Sequence, residues 1–264
     1  METGLMRLQR ALILLCAGRG SRMQPLSTNA PKCMLSVGDK RVIDHLLDAA
    51  LPRVHGEIVA VTGFGADAVH HHLVSRYGDR VTIAENPRYR EDVNILSVQT
   101  GVDALQHPER GYVVLETDLL LDQQAWERIF EAMASADSFW LCKGRYHPAL
   151  TGGIVHADTQ GWIDTIEYQP QYNVDYHGWP KMVGVLGVAP AQVEEDRRCR
   201  QAAIADTIAQ YYLMPWKHNL STLPCRVVDV GDAFARSFNT ADEFDHASQH
   251  YLKLTATTPL PEHS

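Results

Sequence analysis

The chain has 264 residues, enough for one large α/β domain or two small ones around a buried core. Its 45% hydrophobic and 21% charged content is that of a globular protein. A net charge of −8 argues against nucleic-acid or anionic-membrane binding, so any anion site has to be a local cationic pocket.

Short apolar runs alternate with amphipathic segments along the first half. Residues 11–18 (ALILLCAG), 57–63 (EIVAVTG), 81–86 (VTIAEN), 112–118 (YVVLETD) and 138–144 (SFWLCKG) read as strands. They lack polar alternation, which suits a parallel sheet covered on both faces. Between them, residues 41–51, 66–78, 94–105 and 123–134 carry apolar residues three and four apart and read as helices. Asp122 is placed to cap the last of these. Strand–helix alternation predicts right-handed βαβ units in an open three-layer fold. After Lys143 the pattern changes. Residues 152–158, 162–169 and 181–190 read as strands of an antiparallel extension, followed by one helix from about Gln192 to Leu213. Strands at 225–231 and 235–240 and a helix over 241–254 close the fold. The expected organisation is a single domain over residues 1–255, with an insert at 145–190 and a disordered tail at 256–264.

No apolar run approaches the roughly 20 residues of a membrane span. The run after METGLMRLQR ends in Gly-Arg-Gly with no A-x-A-like cleavage site, so no signal peptide is expected. Five widely spaced cysteines without a C-x-x-C pair favour reduced thiols. A cytoplasmic protein is the expectation.

The chemistry begins where the first strand ends. Ligands of open α/β sheets collect at the carboxyl ends of strands, and Cys16-Ala17-Gly18 is such an end. Gly18 and Gly20 let the backbone approach a ligand and present N–H groups to phosphate oxygens, while Arg22 and Lys32 bring positive charge. The chain has no Gly-Lys-[Ser/Thr], so this is no Walker loop, and Met23 stands where a dinucleotide fingerprint needs its third glycine. By itself a G-x-G-x-R loop reads equally well as an ordinary turn with solvated arginines. A second glycine pair, Gly63-Phe64-Gly65-Ala66-Asp67-Ala68, matches a dinucleotide fingerprint, with Glu85 as a ribose-binding acid. It lies at the second strand–helix unit, and nicotinamide or flavin binding is the weaker reading. Thr117-Asp118 sits at the end of another buried strand, where a carboxylate either reaches Mg²⁺ on substrate phosphates or caps a turn. His70-His71-His72 is no zinc site, because consecutive helical side chains point about 100° apart.

The longer pattern L-x-A-G-x-G-x-R-M-x-P-L with a following P-K-x-x-L resembles the nucleotidyltransferases that activate sugar phosphates and related alcohol phosphates. The run Asn86-Pro87 to Ser97, N-P-x-Y-x-x-x-x-N-x-x-S, resembles the bacterial CTP:phosphocholine and phosphonate cytidylyltransferases more than the hexose-phosphate enzymes. The resemblance implies a Rossmann-like αβα sandwich with a mostly parallel mixed sheet, of the GT-A-like nucleotidyltransferase kind. It implies that residues Cys16, Ala17, Gly18, Arg19, Gly20, Ser21 and Arg22, with Lys32 and Thr117, hold a nucleoside triphosphate. Arg22 and Lys32 then neutralise departing pyrophosphate, and Asp118 with Asn239 binds Mg²⁺. Asn239 departs from the Asp common in the family, though UDP-N-acetylglucosamine pyrophosphorylases use Asn there, and Asn239 or Thr240 could also cap the last helix. Asn94 and Ser97 lie beside base and ribose, or cap their own helix. Lys181, Asp206, Tyr172 and Trp179 are the acceptor-side expectations. The last two belong to an aromatic insert that would suit an ammonium group.

The expected reaction is transfer of CMP from CTP to a small phosphorylated or phosphonate acceptor, such as phosphocholine or phosphoethanolamine, with release of pyrophosphate. A sugar-1-phosphate uridylyl- or guanylyltransferase and a non-catalytic nucleotide-binding protein are the alternatives. A homodimer is left open, since the sequence gives no oligomeric state.

Overall fold

The computed structural model describes residues 8–24, 26 and 30–257. In chain order they form β1 (Ala11–Leu15), a small hairpin of β2 (Ser36–Val37) and β3 (Lys40–Arg41), α1 (Val42–Ala50), β4 (Ile58–Thr62), α2 (Ala66–Tyr77), β5 (Thr82–Glu85) and α3 (Ile95–Asp103). Then come β6 (Tyr112–Glu116), β7 (Leu119–Leu121), α4 (Gln123–Ala134), β8 (Ser138–Arg145), β9 (Gly152–Ala157), β10 (Ile163–Gln169) and β11 (Pro180–Val188). The chain continues through α5 (Val193–Asp206), α6 (Met214–His218), β12 (Cys225–Asp229), β13 (Ala235–Ser237) and α7 (Ala241–Thr257).

The four Val/Ile/Leu-rich strands of the first half pair in parallel in the order β5-β4-β1-β6. β1, β4 and β6 are buried on both faces, so their residues divide between two cores, while β5 is the half-exposed edge strand. Leu12 and Leu14 of β1 pack with the faces of α1, α4 and α7; Ala11 and Ile13 pack with α3, α5 and α6. The antiparallel extension enters through β11, whose C-terminal half pairs with β6 and β8. Its N-terminal end meets β9, and β10 lies outside β9. The result is the expected three-layer αβα sandwich with a mixed, mostly parallel main sheet.

Glycine sets the closest approach between layers. A Cβ on Gly101 of α3 would lie 2.4 Å from Cγ2 of Ile13. Gly101→Ala should therefore cost about 1–3 kcal/mol by overpacking, seen as a lower urea midpoint; an unchanged midpoint would show that α3 can back away.

Several local expectations are corrected. The helix expected from Gln192 to Leu213 is shorter: α5 ends at Asp206, Thr207 is extended at φ −160, residues 207–213 are not helical, and α6 starts only at Met214. The break is held by the backbone N–H of Val93 donating to the carbonyl of Ile208, and it turns residues 211–212 toward the end of β6. The helix over 241–254 runs on to Thr257, so the tail expected from 256 has its first two residues in α7, and 258–264 lie outside the described residues. The second glycine pair is a packing device: Cβ atoms on Gly63 and Gly65 would meet Tyr89 at 2.7 Å and Pro31 at 2.8 Å, leaving no room for a dinucleotide. His70 and His71 are exposed, while His72 bonds Asp44 at 2.7 Å. All five cysteines are buried and unpaired. Among the described residues, no helix is long and apolar enough to cross a membrane.

Candidate active site

β1 and β6 are neighbours, and their carboxyl ends build the site together. Thr117 is buried and donates its hydroxyl to the carbonyl of Leu15 at 2.7 Å, tying the two ends. Beyond Leu15 the backbone N–H of Cys16 still bonds Val61, after which the chain leaves the sheet. Gly18 has open space where a side chain would stand, and Gly20 takes the left-handed conformation at φ 60. That conformation starts a short 3₁₀ turn, Ser21–Met23, which Met23 anchors by being fully buried. A second such turn, Lys32–Met34, follows Pro31, with Cys33 and Met34 buried beneath it. Each turn thus fixes its backbone by a buried apolar residue and leaves one cation, Arg22 or Lys32, facing the strand ends.

Lys32 is the hub. Its ammonium donates to Asp118 Oδ2 at 2.7 Å, to Asn239 Oδ1 at 3.1 Å and to the carbonyl of Phe238 at 3.1 Å. Arg22 donates to the same Asn239 oxygen at 2.8 Å. The other carboxylate oxygen of Asp118, Oδ1, is buried and has no partner among the described residues. Asn239 is available because the helix cap is supplied by its neighbours: Thr240 Oγ1 accepts from the N–H of Glu243, and the Glu243 carboxylate accepts from the N–H groups of Asn239 and Thr240. Asp122, as expected, caps α4 by accepting from the N–H of Ala125.

The start of α3 is held by a residue the sequence reading passed over. Asp92 accepts from the N–H groups of Leu96 and Ser97 and from the Ser97 hydroxyl, while buried Asn86 donates to both Asp92 and Ser97. The Ser97 hydroxyl is therefore engaged within the protein. Asn94 does not cap α3 with its side chain; its Oδ1 accepts from the N–H of Tyr212 at 2.8 Å, and its amide reaches Glu116 at 3.4 Å.

Two cavities open here. One, of about 260 Å³, is lined by Cys16, Ala17, Gly18, Gly20, Arg22, Lys32, Asn94, Ser97, Thr117, Asp118 and Asn239, so the structure brings together most of the nucleotide-side expectations. Arg19 stands outside it, its guanidinium 5.9 Å from the Phe64 ring centre. The Ser21 side chain lies outside the described residues. The second cavity, about 600 Å³, shares Arg22, Glu116, Asp118, Tyr211 and Asn239 with the first and extends over the antiparallel sheet. Lys181 lines it. Of the remaining acceptor-side expectations, Tyr172, Trp179 and Asp206 line neither cavity. Tyr172 packs on Tyr146 and bonds His177, Trp179 packs on Tyr176 and His156, and Asp206 is exposed at the end of α5. These aromatics form a small core of the insert itself.

Sequence reasoning missed Glu116, Tyr211 and Tyr212. Glu116 lies where the two cavities meet. Burial, with Asp118 close by, pushes its carboxyl up to about 7. Burial likewise lowers Lys181 and raises the phenol of Tyr212, which also bonds Glu116. Tyr211 stacks on Tyr168 at 4.2 Å, and their hydroxyls are 2.6 Å apart. Gly184, at φ +75 in the irregular middle of β11, accommodates Glu116: a Cβ there would fall 2.7 Å from Glu116 Oε2. Gly184→Ala combines that clash with about 1–2 kcal/mol of left-handed backbone strain. It should lower both the melting temperature and turnover, and wild-type values for the two would remove Glu116 placement from the account.

The comparisons with known proteins agree with this architecture. The 2-aminoethylphosphonate cytidylyltransferase of Lancefieldella rimae is 30% identical over 143 residues, 54% of this chain and 54% of that protein. The CTP:phosphoglutamine cytidylyltransferase of Campylobacter jejuni is 38% identical over 61 residues, 23% of this chain and 24% of that one. The chain thus spans about half or less of the length of these curated relatives. Among solved structures, the CTP:phosphocholine cytidylyltransferase of Streptococcus pneumoniae superimposes with a TM-score of 0.76 at 16% identity, covering 91% of this chain and 99% of that one. The inositol-1-phosphate CTP transferase of T. maritima gives a TM-score of 0.73 at 13% identity, covering 96% and 99%. These two likenesses establish the fold. The family model for the MobA-like NTP transferase domain matches residues 12–169, more than half of the sequence, and the chain belongs to that family.

Proposed function

We propose that this chain is a nucleotidylyltransferase that moves a nucleoside monophosphate, CMP in preference, from the triphosphate to a small phosphate or phosphonate acceptor. The observation that carries this reading is the hub at Lys32. An ammonium, a guanidinium, a buried carboxylate oxygen without a partner and a side-chain carbonyl converge where two cavities join.

An acceptor oxygen that is already anionic needs no general base. It attacks the α-phosphorus, a new P–O bond forms, the bond from α-phosphorus to the bridging oxygen breaks, and pyrophosphate leaves with those electrons. The protein's work is positioning and charge neutralisation. The N–H groups of residues 18–20 cradle the phosphates, and Arg22 and Lys32 offset the charge that accumulates on the leaving group. Lys181 orients the acceptor's anionic end, and Asn94 with Tyr212 fixes Glu116 between the two substrates.

The donor set fits Mg²⁺: hard oxygens from Asp118 and Asn239, one of them buried and unsatisfied, match an ion that takes one or two protein ligands and completes its shell with phosphate and water. Among the described residues no group of three His, Cys, Asp or Glu could hold an ion by itself. Bound there, Mg²⁺ would supply charge neutralisation at the reacting phosphate. CTP preference rests on the likeness of residues 86–97 to cytidylyltransferases and on the two cytidylyltransferase relatives.

Pyrophosphate release, measured with each of four nucleoside triphosphates against a panel of phosphate esters, phosphonates and sugar 1-phosphates, tests the reading. CTP with a small phosphate or phosphonate should give the highest kcat/KM. Higher rates with UTP or GTP and a sugar 1-phosphate would shift the assignment to the sugar enzymes, and no release with any pair would end it.

A further inference from the structure

One wall of the larger cavity is cationic. Lys143 and Arg145 at the end of β8, Lys181 on β11 and Arg236 on β13 all line it. Arg145 and Arg236 are exposed and, among the described residues, their side chains form no hydrogen bond or ion pair. Lys143 and Lys181 donate only to carbonyls, of Gly231 and Met182 respectively, so neither has a carboxylate partner. The acids on the same wall are committed elsewhere. Asp118 pairs with Lys32, Glu243 accepts from two backbone N–H groups at the start of α7, and Glu116 sits at the junction with Tyr212 and Asn94.

The aromatic side chains here do not make a cage for a cation. Tyr168 and Tyr211 spend one face each on one another and share their hydroxyls. Cation–π capture needs open ring faces, and it is usually reinforced by a free carboxylate. Here the stacked pair has one face of each ring taken, the three carboxylates of the cavity are engaged as described, and the surplus charge is positive. One phosphate or phosphonate group engages Lys181 near the hub, so two unpaired guanidinium groups remain. Their planar forks are suited to a carboxylate or a further phosphate.

We propose, on the basis of the nucleotidylyl-transfer reading above, that the acceptor carries a second anionic group, remote from the reacting phosphate or phosphonate, and that Arg145 and Arg236 recognise it. An acceptor with a carboxylate is thereby selected over one of the same length ending in ammonium.

Three phosphonates of matched length test this: 3-phosphonopropanoate, 2-aminoethylphosphonate and propylphosphonate, which end in a carboxylate, an ammonium and a methyl group. Turnover with CTP and direct calorimetric binding are measured for the wild type and for the Arg145→Glu, Arg236→Glu double variant. Folding of the variant is checked by circular dichroism, and both positions are exposed. The wild type should favour the carboxylate over the ammonium by roughly tenfold or more in kcat/KM, and the charge-reversed variant should invert that order. A wild type that prefers the ammonium, or a variant that keeps the carboxylate preference, overturns the inference and leaves the transfer reading standing. Should none of the three turn over, the transfer reading is judged by the wider panel above. Calorimetry then decides this one: binding of 3-phosphonopropanoate lost on charge reversal supports the anion site, and equal binding or none refutes it.

Discussion

Asp118→Ala should abolish pyrophosphate release while the protein stays folded. Asp118 lies at the end of β6 with its side chain 17% exposed, and its Oδ1 is buried without a partner among the described residues. A carboxylate oxygen in that condition costs stability unless it is used. Removing it relieves that cost. Lys32 keeps its bonds to Asn239 and to the carbonyl of Phe238, so the junction does not collapse. On the proposed reading, what would be lost is the hard anionic donor for a divalent ion, together with the partner that orients Lys32. Together these are worth several kcal/mol at the transition state, a fall of roughly a thousandfold or more in kcat. Asp118→Asn keeps the shape and one oxygen but not the charge, and it should recover little. Wild-type Mg²⁺-dependent turnover in Asp118→Ala would remove this residue from the metal assignment.

Lys32→Ala should lower kcat by two to three orders of magnitude, corresponding to about 3–4 kcal/mol for a preorganised charge in a partly enclosed site. The lysine is held in advance by three acceptors, so little reorganisation is needed when negative charge develops on the leaving pyrophosphate. Lys32→Arg should not restore the rate. The short 3₁₀ turn Lys32–Met34, anchored by buried Cys33 and Met34, fixes where the side chain starts, and a planar fork cannot occupy the compact space among Asp118, Asn239 and Phe238. A change in kcat below about threefold would be too small for any transition-state role.

Much of this was legible in the sequence because local chemistry and topology act together there. The apolar runs that became β1, β4 and β6 carry no polar alternation, and burial on both faces of the sheet accounts for that. The glycine–arginine loop was readable for a similar reason: Gly18, Gly20, Met23 and Pro31 each have a single backbone or packing task, and the cations are what remain. The acceptor side was less readable. Tyr172 and Trp179 suggested an aromatic pocket, and in the structure they pack on Tyr146 and Tyr176 of the same region. Tyr211 and Tyr212 were hidden inside an apparent helix, since nothing local marks Thr207 as its end except a β-branched residue and a contact with Val93 from another element. Glu116 did leave a signal. It is a carboxylate in the otherwise apolar run Tyr112–Glu116, two residues before the aspartate that drew attention. A buried charge in a strand is expensive, and it points to a site.

The central claim is that a triphosphate lies across the backbone after β1, clamped by Arg22 and Lys32. A crystal structure with a non-hydrolysable CTP analogue and Mg²⁺ tests it most directly. The account predicts phosphate oxygens within hydrogen-bonding distance of the N–H groups of residues 18–20, of the Arg22 guanidinium and of the Lys32 ammonium, with the ion against Asp118. A nucleotide bound with its phosphates on any other surface, and those two cations still engaged only with Asp118 and Asn239, would contradict it.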